Sequence, residues 1–333
     1  MATSRKLLLI LGILILIGLS AVGGYEYGVK NYTSFIDSMH LVREDDSSSF
    51  FVHPILGLSL PDAINVNEFQ PLVTQVKKIF SMQSNVVGRY SVYFRDLNKG
   101  LWFGINENDT YDPASMLKVA LAFAAYKQAE SDPGFLEHEV VYTQALANIN
   151  TSIQYADPTK LQVGASYTVS DLLKKMIVDS DNGAKDALGN SIDPSIQNKV
   201  YTDLGMTIPQ DGTAYSISPQ QYSVFFRRLF NGNYLTKQSS NELLQLLSEA
   251  TFKDGLVAGV ATSTPVSHKY GEHINSADNT ITSTELHDCG IIYQPNDPYL
   301  LCIMTEGKDE SDLASVISSV SKAVNQEVAG GYK

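Results

Sequence analysis

Two groups of β-strand patterns, one near each end of the folded region, most constrain how this 333-residue chain can fold. Arg89–Leu97 and Leu101–Asn106 flank Asn98-Lys99-Gly100, which predicts a hairpin. Because strands joined by short turns run in opposite directions, we expect one antiparallel sheet of five strands. The three C-terminal strand patterns are Thr264–Glu272, Leu286–Tyr293 and Tyr299–Thr305.

Helical patterns lie between these two groups of strands and also flank them. The fold class is therefore α+β, an α/β sandwich of an antiparallel sheet and flanking helices, with an inserted all-helical subdomain over about residues 119–255. The flanking helices are Asn67–Ser81 and a final stripe of Leu313, Val316, Ile317, Val320 and Val324. The inserted helices are Asp112–Lys127, Ser170–Val178, Gly183–Leu188, Ser218–Phe230 and Ser240–Ala250.

Composition narrows the classes of function. A formal net charge of −12 argues against a nucleic-acid partner, because phosphate binding needs a basic face. Two cysteines, Cys289 and Cys302, exclude a four-thiolate zinc site and a disulfide-dense scaffold. No H-E-x-x-H pattern is present, so we expect no metal. The expected protein is a monomer without a cofactor.

The N-terminus carries a membrane-targeting pattern. Arg5 and Lys6 precede the uncharged run Leu7–Tyr25, which would span about 28 Å as a helix, enough for one hydrocarbon core. The basic flank places the N-terminus in the cytoplasm and the rest of the chain outside the membrane. A cleaved signal peptide is the alternative, although Ser20–Gly24 offers no clean A-x-A cleavage site.

These patterns divide the chain into three segments. We predict a cytoplasmic tip and transmembrane helix over residues 1–25, an extracytoplasmic tether over residues 26–60, and one folded unit over residues 61–333. The tether prediction depends on the polar, Ser-rich run Arg43–Ser49, followed by Pro54.

The first candidate for chemistry is Ser115 together with Lys118. Asp112-Pro113 fits a helix N-cap and first position, so Ser115 would lie in the first turn, where backbone N–H groups favour a developing oxyanion. Lys118 follows one turn later, so its amine can act as the base that a serine nucleophile needs. The same S-x-x-K spacing at Ser319–Lys322 lies mid-helix, which indicates a structural role.

Two further motifs are weak when taken singly. Ser180-Asp181-Asn182 forms a short polar loop between helices, suited to proton transfer and amide binding but also typical of an ordinary turn. His268-Lys269-Tyr270-Gly271-Glu272 lies on a strand, where Lys269 could hold a substrate carboxylate and Gly271 permits close approach by a ligand. Strand lysines are also typical of solvated edges.

Taken together and in this order, the three motifs are far more specific. S-x-x-K, S-D-N and K-x-G resemble the serine penicillin-recognising superfamily, most closely the class A β-lactamase-like catalytic domain. The resemblance covers about residues 61–330 and includes Tyr111-Asp112-Pro113-Ala114 and Cys289-Gly290-Ile291-Ile292-Tyr293. It implies that Ser115 attacks the carbonyl of a β-lactam or of a D-alanyl-D-alanine peptide and forms an acyl-enzyme.

The resemblance also implies a role for each of the other motif residues. Lys118 takes the Ser115 proton, and Ser180 relays a proton to the departing nitrogen. Backbone N–H groups of Ser115 and Glu272 form the oxyanion hole, usually the largest contribution in acyl transfer. The substrate-binding residues are Asn182 for the acyl side-chain amide, Lys269 for the carboxylate, and Tyr270, Gly271 and Glu272 along the strand.

Two departures from the family pattern separate the possible functions. Tyr270 stands where the family has a small hydroxyl residue, so a phenol is expected to crowd the pocket or shift carboxylate binding. The E-x-x-L-N motif, whose glutamate activates the deacylating water, is missing, and Gly205–Pro219 contains one acid, Asp211. The candidates are a β-lactam hydrolase that uses another activator such as Asp211, a D,D-peptidase or penicillin-binding protein, and a sensor that stays acylated.

The two cysteines, together with His268 and His287, are expected to have structural roles. Cys289 and Cys302 would be almost opposite if the last hairpin is centred near residue 295 or 296. A disulfide is possible outside the membrane, but two buried thiols are slightly favoured. His287-Asp288 is predicted to be structural, and His268 to pack near its strand or tune Lys269 by its charge.

Overall fold

The computed structural model describes residues 49–54, 69–144, 161–210, 213–278 and 280–331. All of them lie within the unit Arg43–Lys333. The predicted transmembrane run Leu7–Tyr25 falls outside the described residues and stays a prediction. Among the helices that are described, none is both long and apolar enough to cross a membrane.

Five strands form one sheet in the order β2-β1-β7-β6-β5, and every neighbouring pair is antiparallel, as the sequence predicts. The N-terminal hairpin joins the C-terminal strands because β1 pairs with β7 along almost its whole length. β7 is buried over most of its residues, as expected for the central strand. The strands are β1 Val87–Asp96, β2 Trp102–Ile105, β5 Val266–Ala277, β6 Thr280–Ile292 and β7 Tyr299–Gly307.

Helices cover both faces of this sheet. On one face, α1 buries Leu72, Val73, Val76 and Phe80, as its apolar stripe predicts, and packs with α8. On the other face, α6 contacts β1, β6 and β7 and joins the sheet to the helical body. The helices are α1 Gln70–Met82, α2 Lys118–Ser131, α3 Val169–Val178, α4 Asn182–Ser191, α5 Pro194–Asp203, α6 Pro219–Asn231, α7 Lys237–Ser248 and α8 Glu310–Ala329.

Local signals set the start and end of α6. Ser218 and Gln221 form a reciprocal capping box, and Pro219 occupies the first turn. Gly232 ends the helix at φ 56°, a left-handed conformation that glycine adopts without strain. The predicted Ser218-Pro219 start is therefore confirmed.

The expectation of an all-helical insertion is wrong. A small antiparallel ladder joins β3, Glu139–Val141, to β4, Ser166–Thr168. Each strand has three residues, too few for an alternating pattern to be recognised. Helix α5 was missed for a related reason, since Val200 is its only buried residue and no apolar stripe marks it.

The described end of the predicted tether packs against the catalytic body. Val52 is fully buried, and the His53 backbone N–H donates to the Phe230 carbonyl at 2.8 Å. The Phe51 ring meets Tyr293 edge-on at 5.2 Å between centroids. Residues 49–54 are therefore held against the folded unit by apolar burial, although the sequence places them in the tether.

Cys289 and Cys302 form a disulfide, so the expectation of two buried thiols is wrong. They lie directly opposite each other on β6 and β7, which confirms the predicted register. Both are fully buried. The bond cross-links two strands of the sheet, one of which lies beside the Lys269 strand.

Candidate active site

Ser115 lies in a tight turn that differs from the predicted helix start. Ala114–Leu117 forms a 3₁₀ turn, and the α-helix begins only at Lys118. The Asp112 carboxylate accepts a hydrogen bond from the Ala114 backbone N–H at 2.8 Å. Ala114 has φ 45°, a conformation that costs a non-glycine residue about 1 kcal/mol or more, so surrounding contacts must hold the turn.

Strand β6 supplies two of these contacts. The Glu285 carboxylate accepts from the Asp112 backbone N–H at 3.1 Å, and His287 Nε2 lies 3.0 Å from the Asp112 carbonyl oxygen. The Thr305 backbone N–H donates to His287 Nδ1, which leaves the ring proton on Nε2 to donate to Asp112. His287 therefore positions the nucleophile turn, in agreement with its predicted structural role.

Lys118 links the first two motifs. Its side chain is 3% exposed, and Nζ lies 3.0 Å from Ser115 Oγ and 3.0 Å from Ser180 Oγ. The amine also donates to the Ser180 carbonyl oxygen, across 62 residues of sequence. Once neutral, the same amine has a lone pair that can accept the Ser115 proton.

The three residues of the S-D-N loop have different roles. Ser180 has φ 57°, which turns both its carbonyl and its hydroxyl toward Lys118. Asp181 caps α4 by accepting from the Ala184 backbone N–H at 2.7 Å. Asn182 begins α4 and lines the cavity beside Ser115.

Lys269 completes a continuous hydrogen-bonded chain. Its fully buried amine lies 3.0 Å from Ser180 Oγ and donates to the Tyr270 carbonyl at 3.2 Å. The Ser180 hydroxyl thus lies between two lysine amines, and one of them contacts Ser115. This geometry offers a proton path from Ser115 through Lys118 to the Ser180 hydroxyl.

Burial makes both amines easier to deprotonate. It lowers the pKa of Lys118 well below its ordinary value, and the nearby charge of Lys269 lowers that pKa further. Burial also lowers the pKa of Lys269 to about 7, against the opposing effect of the Asp288 carboxylate. The positive charge at Lys269 is therefore sensitive to pH near neutrality.

We expect kcat/KM for a carboxylate-bearing β-lactam to fall as the pH rises above about 7. The pKa of Lys269 is lowered to about 7, so above that pH the amine loses the charge with which it is predicted to hold the substrate carboxylate. A Lys269→Arg variant, which stays charged, should extend activity to higher pH. Initial rates measured across pH test this expectation.

The matched control uses the substrate instead of the protein. A methyl ester of the same β-lactam lacks the carboxylate, so its kcat/KM should show a weaker dependence on Lys269 ionisation. An alkaline decline that is identical in wild type and Lys269→Arg would contradict the assignment of Lys269.

Asp288, which the sequence predicts to be structural together with His287, is a close partner of strand β5. Asp288 Oδ1 lies 2.8 Å from His268 Nδ1, and its other oxygen accepts from the Leu256 backbone N–H at 2.8 Å. Both side chains of the pair are fully buried. Asp288 pairs with His268 across the strands, whereas His287, its sequence neighbour, holds the nucleophile turn.

The sequence predicted that the Tyr270 phenol would crowd the pocket or shift carboxylate binding. In the structure, Tyr270 does not line the open cavity. Its ring is 4% exposed, stacks on Phe252 at 4.3 Å, and lies 4.3 Å from the Lys269 amine. Burial raises the pKa of Tyr270, while a hydrogen bond with Ser180 acts in the opposite direction. The phenol is therefore packed beside the Lys269 amine and Ser180, the two groups that the substrate carboxylate would approach.

Gly271 permits close approach by the nucleophile turn. A Cβ atom at this position would lie 2.5 Å from the Pro113 carbonyl oxygen and 2.8 Å from Met116 Cγ. Strand β5 can therefore lie against the Ser115 turn only if this residue has no side chain. Glu272 follows, half-buried and paired with Leu286, and the oxyanion-hole role of its amide stays a prediction.

A Gly271→Ala variant should lose at least about tenfold in kcat/KM and about 1–3 kcal/mol in stability, because the strand must move away from the nucleophile turn. Gly134→Ala is the matched control, since a methyl group added at Gly134 would have no neighbouring atom within 4 Å. Thermal melting and nitrocefin kinetics provide the two measurements. Wild-type behaviour of Gly271→Ala would show that the close approach is unimportant.

A cavity of about 490 Å³ opens beside the nucleophile. Ser115, Lys118 and Asn182 line it, together with the α5 residues Gln197 and Tyr201. In the described ranges, no group of three or more His, Cys, Asp or Glu side chains is placed to hold a metal. The chemistry available at this site is serine acyl transfer assisted by lysine.

The same cavity contains a carboxylate that the sequence analysis did not identify. Asp186 lines it from α4, whereas Asp211, the activator considered from the sequence, lies outside the described residues. The i, i+4 spacing of Asn182 and Asp186 is the signal that could have identified it, because residues four apart share a helix face.

Comparison with known protein families identifies the region that contains these three motifs as one domain. The model of the family described as "Beta-lactamase enzyme family" matches residues 71–328. Beta-lactamase L2 of Stenotrophomonas maltophilia is 28% identical over 116 residues, which are 35% of this chain and 37% of that protein. The chain's match therefore spans little more than a third of that relative.

Solved structures share the fold at low sequence identity. PBP-A has a TM-score of 0.67 and 20% identity, covering 82% of this chain and 100% of that chain. A class A beta-lactamase from Mycobacterium abscessus has a TM-score of 0.65 and 21% identity, covering 78% and 99%. A PBP-A mutant, an acyl-enzyme complex with penicillin G, has a TM-score of 0.65 and 19% identity, covering 78% and 97%.

Proposed function

This chain belongs to the beta-lactamase enzyme family, and on that premise we propose that it hydrolyses β-lactams through an acyl-enzyme on Ser115. The observation that carries the proposal is the hydrogen-bonded chain from Ser115 through Lys118 and Ser180 to Lys269. Each link is 3.0 Å long, within reach of proton transfer.

Acylation follows from this chain of contacts. Neutral Lys118 takes the proton of Ser115 as Oγ attacks the lactam carbonyl. The C–N bond of the ring breaks, and the Ser180 hydroxyl gives its proton to the departing nitrogen while it receives one from Lys118. Lys269 holds the substrate carboxylate, so the reacting bond lies between the nucleophile and the proton donor.

A D,D-peptidase acting on peptidoglycan peptides is the second candidate. PBP-A, which shares the fold over 82% of this chain, favours it, and so does the scarcity of acids in the loop Gly205–Pro219. The acylation chemistry is the same for both substrates, because each presents an amide carbonyl and a nearby carboxylate. The two functions differ in the acyl donor and in how fast water removes the acyl group.

Turnover of a chromogenic cephalosporin, followed together with the intact mass of the protein, tests the proposal. Sustained colour development over many equivalents supports β-lactam hydrolysis. A single burst with a lasting adduct on Ser115 supports the peptidase or a sensor, and release of D-alanine from a D-Ala-D-Ala peptide then distinguishes these two. Absence of any adduct and any turnover would contradict the mechanism.

We also propose that the catalytic unit lies outside the cytoplasmic membrane, tethered by the N-terminal run Leu7–Tyr25. The hydropathy and basic flank of that run support the proposal. The disulfide between Cys289 and Cys302 also supports it, since such bonds persist in oxidising compartments. Retention in the membrane pellet after alkaline extraction is expected, and release of a shortened soluble protein would indicate a cleaved signal instead.

A further inference from the structure

The cavity beside Ser115 has a polar wall that the acylation chemistry does not use. One face of α4 supplies this wall, with residues at i, i+3, i+4, i+7 and i+8, the spacing of a single helical face. Asp186 lies one turn after Asn182, about 6 Å along the helix axis. The wall residues are Asn182, Lys185, Asp186, Gly189 and Asn190.

The Asp186 carboxylate is only partly satisfied. Its Oδ1 lies 2.7 Å from the Lys185 amine, but Oδ2 is buried and has no hydrogen-bond partner among the described residues. Buried carboxylate oxygens are ordinarily paired, so Oδ2, on a residue that lines the cavity, has an unused capacity to accept a hydrogen bond from water that enters beside it.

Asp186 also acts on the reacting residues electrostatically. Burial is the main cause of the lowered pKa of Lys118, and the negative charge of Asp186 opposes that lowering. The carboxylate is therefore close enough to influence the amine that contacts Ser115. Ser115, Lys118 and Asp186 border the same cavity, so water in that cavity has access both to the nucleophile and to the α4 wall.

We propose that Asp186 is the general base that activates the water for hydrolysis of the Ser115 acyl-enzyme. The inference rests on the proposed acyl-enzyme and explains how deacylation proceeds without a glutamate supplied by the loop after α5. It assigns to a helix residue the role for which the sequence suggested Asp211 as one candidate.

The proposed step conserves atoms and charge. Asp186 takes a proton from water as the water oxygen attacks the acyl carbonyl and forms a new C–O bond. The ester bond to Ser115 Oγ then breaks. The proton taken by Asp186 returns to Ser115 Oγ through the Lys118 amine, and the released acid gives up its own proton to solvent. The free enzyme is restored without any other reactant.

The test separates acylation from deacylation in the full-length protein. In Asp186→Asn, penicillin G should acylate Ser115 at a rate within about threefold of wild type, whereas loss of the adduct should slow by about 10²-fold or more, the usual range for a general base. Stopped-flow acylation and time-resolved intact mass give the two rates. Asp203→Asn is the matched control, because it removes an α5 carboxylate, paired with Lys199 at 2.8 Å, that does not line the cavity.

A second variant distinguishes a catalytic role of Asp186 from a folding defect and from a structural role. In Asp186→Ala, added formate should restore deacylation by supplying a carboxylate in the vacated space, and chloride at equal ionic strength should not. Wild-type deacylation by Asp186→Asn, or absence of formate rescue in a folded Asp186→Ala, overturns the role of Asp186 while Ser115 acylation stands. An absence of any adduct on wild-type Ser115, by contrast, overturns the proposed function and this inference with it.

Discussion

A Ser115→Ala variant should gain no mass when incubated with penicillin G, under conditions in which the wild-type protein acquires one covalently bound penicillin. Ser115 Oγ is the atom that contacts the Lys118 amine, at 3.0 Å, and it faces the 490 Å³ cavity. Without that oxygen no ester can form. Turnover should fall on the order of 10⁴- to 10⁶-fold, the usual effect of removing a nucleophile that acts together with its base.

Ser319→Ala is the matched control for this experiment, because Ser319 and Lys322 have the same S-x-x-K spacing. Ser319 lies within α8, where its hydroxyl donates to the Ser315 carbonyl at 2.8 Å. The variant should acquire the adduct at the wild-type rate, and peptide mapping should locate that adduct on Ser115. An adduct on Ser115→Ala, or a missing adduct on Ser319→Ala, would contradict the assignment of the nucleophile.

A Lys118→Met variant should acylate about 10²- to 10⁴-fold more slowly, the usual contribution of general acid–base catalysis. Methionine fills much of the same volume but cannot accept the Ser115 proton or pass one to Ser180. It also removes a buried amine whose pKa is lowered by desolvation, so the loss of its hydrogen bonds is offset by relief of the free-energy cost of burying that amine. The melting temperature should therefore change far less than the acylation rate.

Lys127→Met is the matched control on the same helix. Lys127 pairs with Glu130 at 2.6 Å and donates to the Tyr234 carbonyl at 2.7 Å. Its removal should leave the acylation rate within about threefold of wild type, as expected for a surface ion pair. Near-normal acylation by Lys118→Met would mean that another base serves Ser115.

Elements with a strong local pattern were predictable from the sequence. The stripe of apolar residues in α8 reflects burial on one face, so periodicity reveals it, and the turn Asn98-Lys99-Gly100 marks the hairpin of β1 and β2. Elements that bury little were missed, namely α5 and the β3–β4 ladder. The paired strands β5 and β6 extend beyond their predicted ends, to Ala277 and from Thr280, where the residues are largely exposed and lack a core-facing pattern.

The candidate site was predictable as a set of motifs but not as a set of contacts. Lys118 had to lie near Ser115, because they are one helical turn apart. Lys118 and Ser180 are separated by 62 residues, and Ser180 and Lys269 by 89, so no local rule places them together. The left-handed conformation of Ser180 and the close approach at Gly271 decide those contacts.

The sequence by itself determined the antiparallel direction of strands within each hairpin, the register that puts Cys289 opposite Cys302, and the spacing of Ser115 and Lys118, because each depends on neighbours within one turn, strand or hairpin. The tertiary structure decided the disulfide, the pairing of Asp288 with His268, and the exposure of Asp186 to the catalytic cavity. It also lowered the pKa of both active-site lysines, because desolvation depends on how many distant segments pack around a charge and is not encoded in any local pattern.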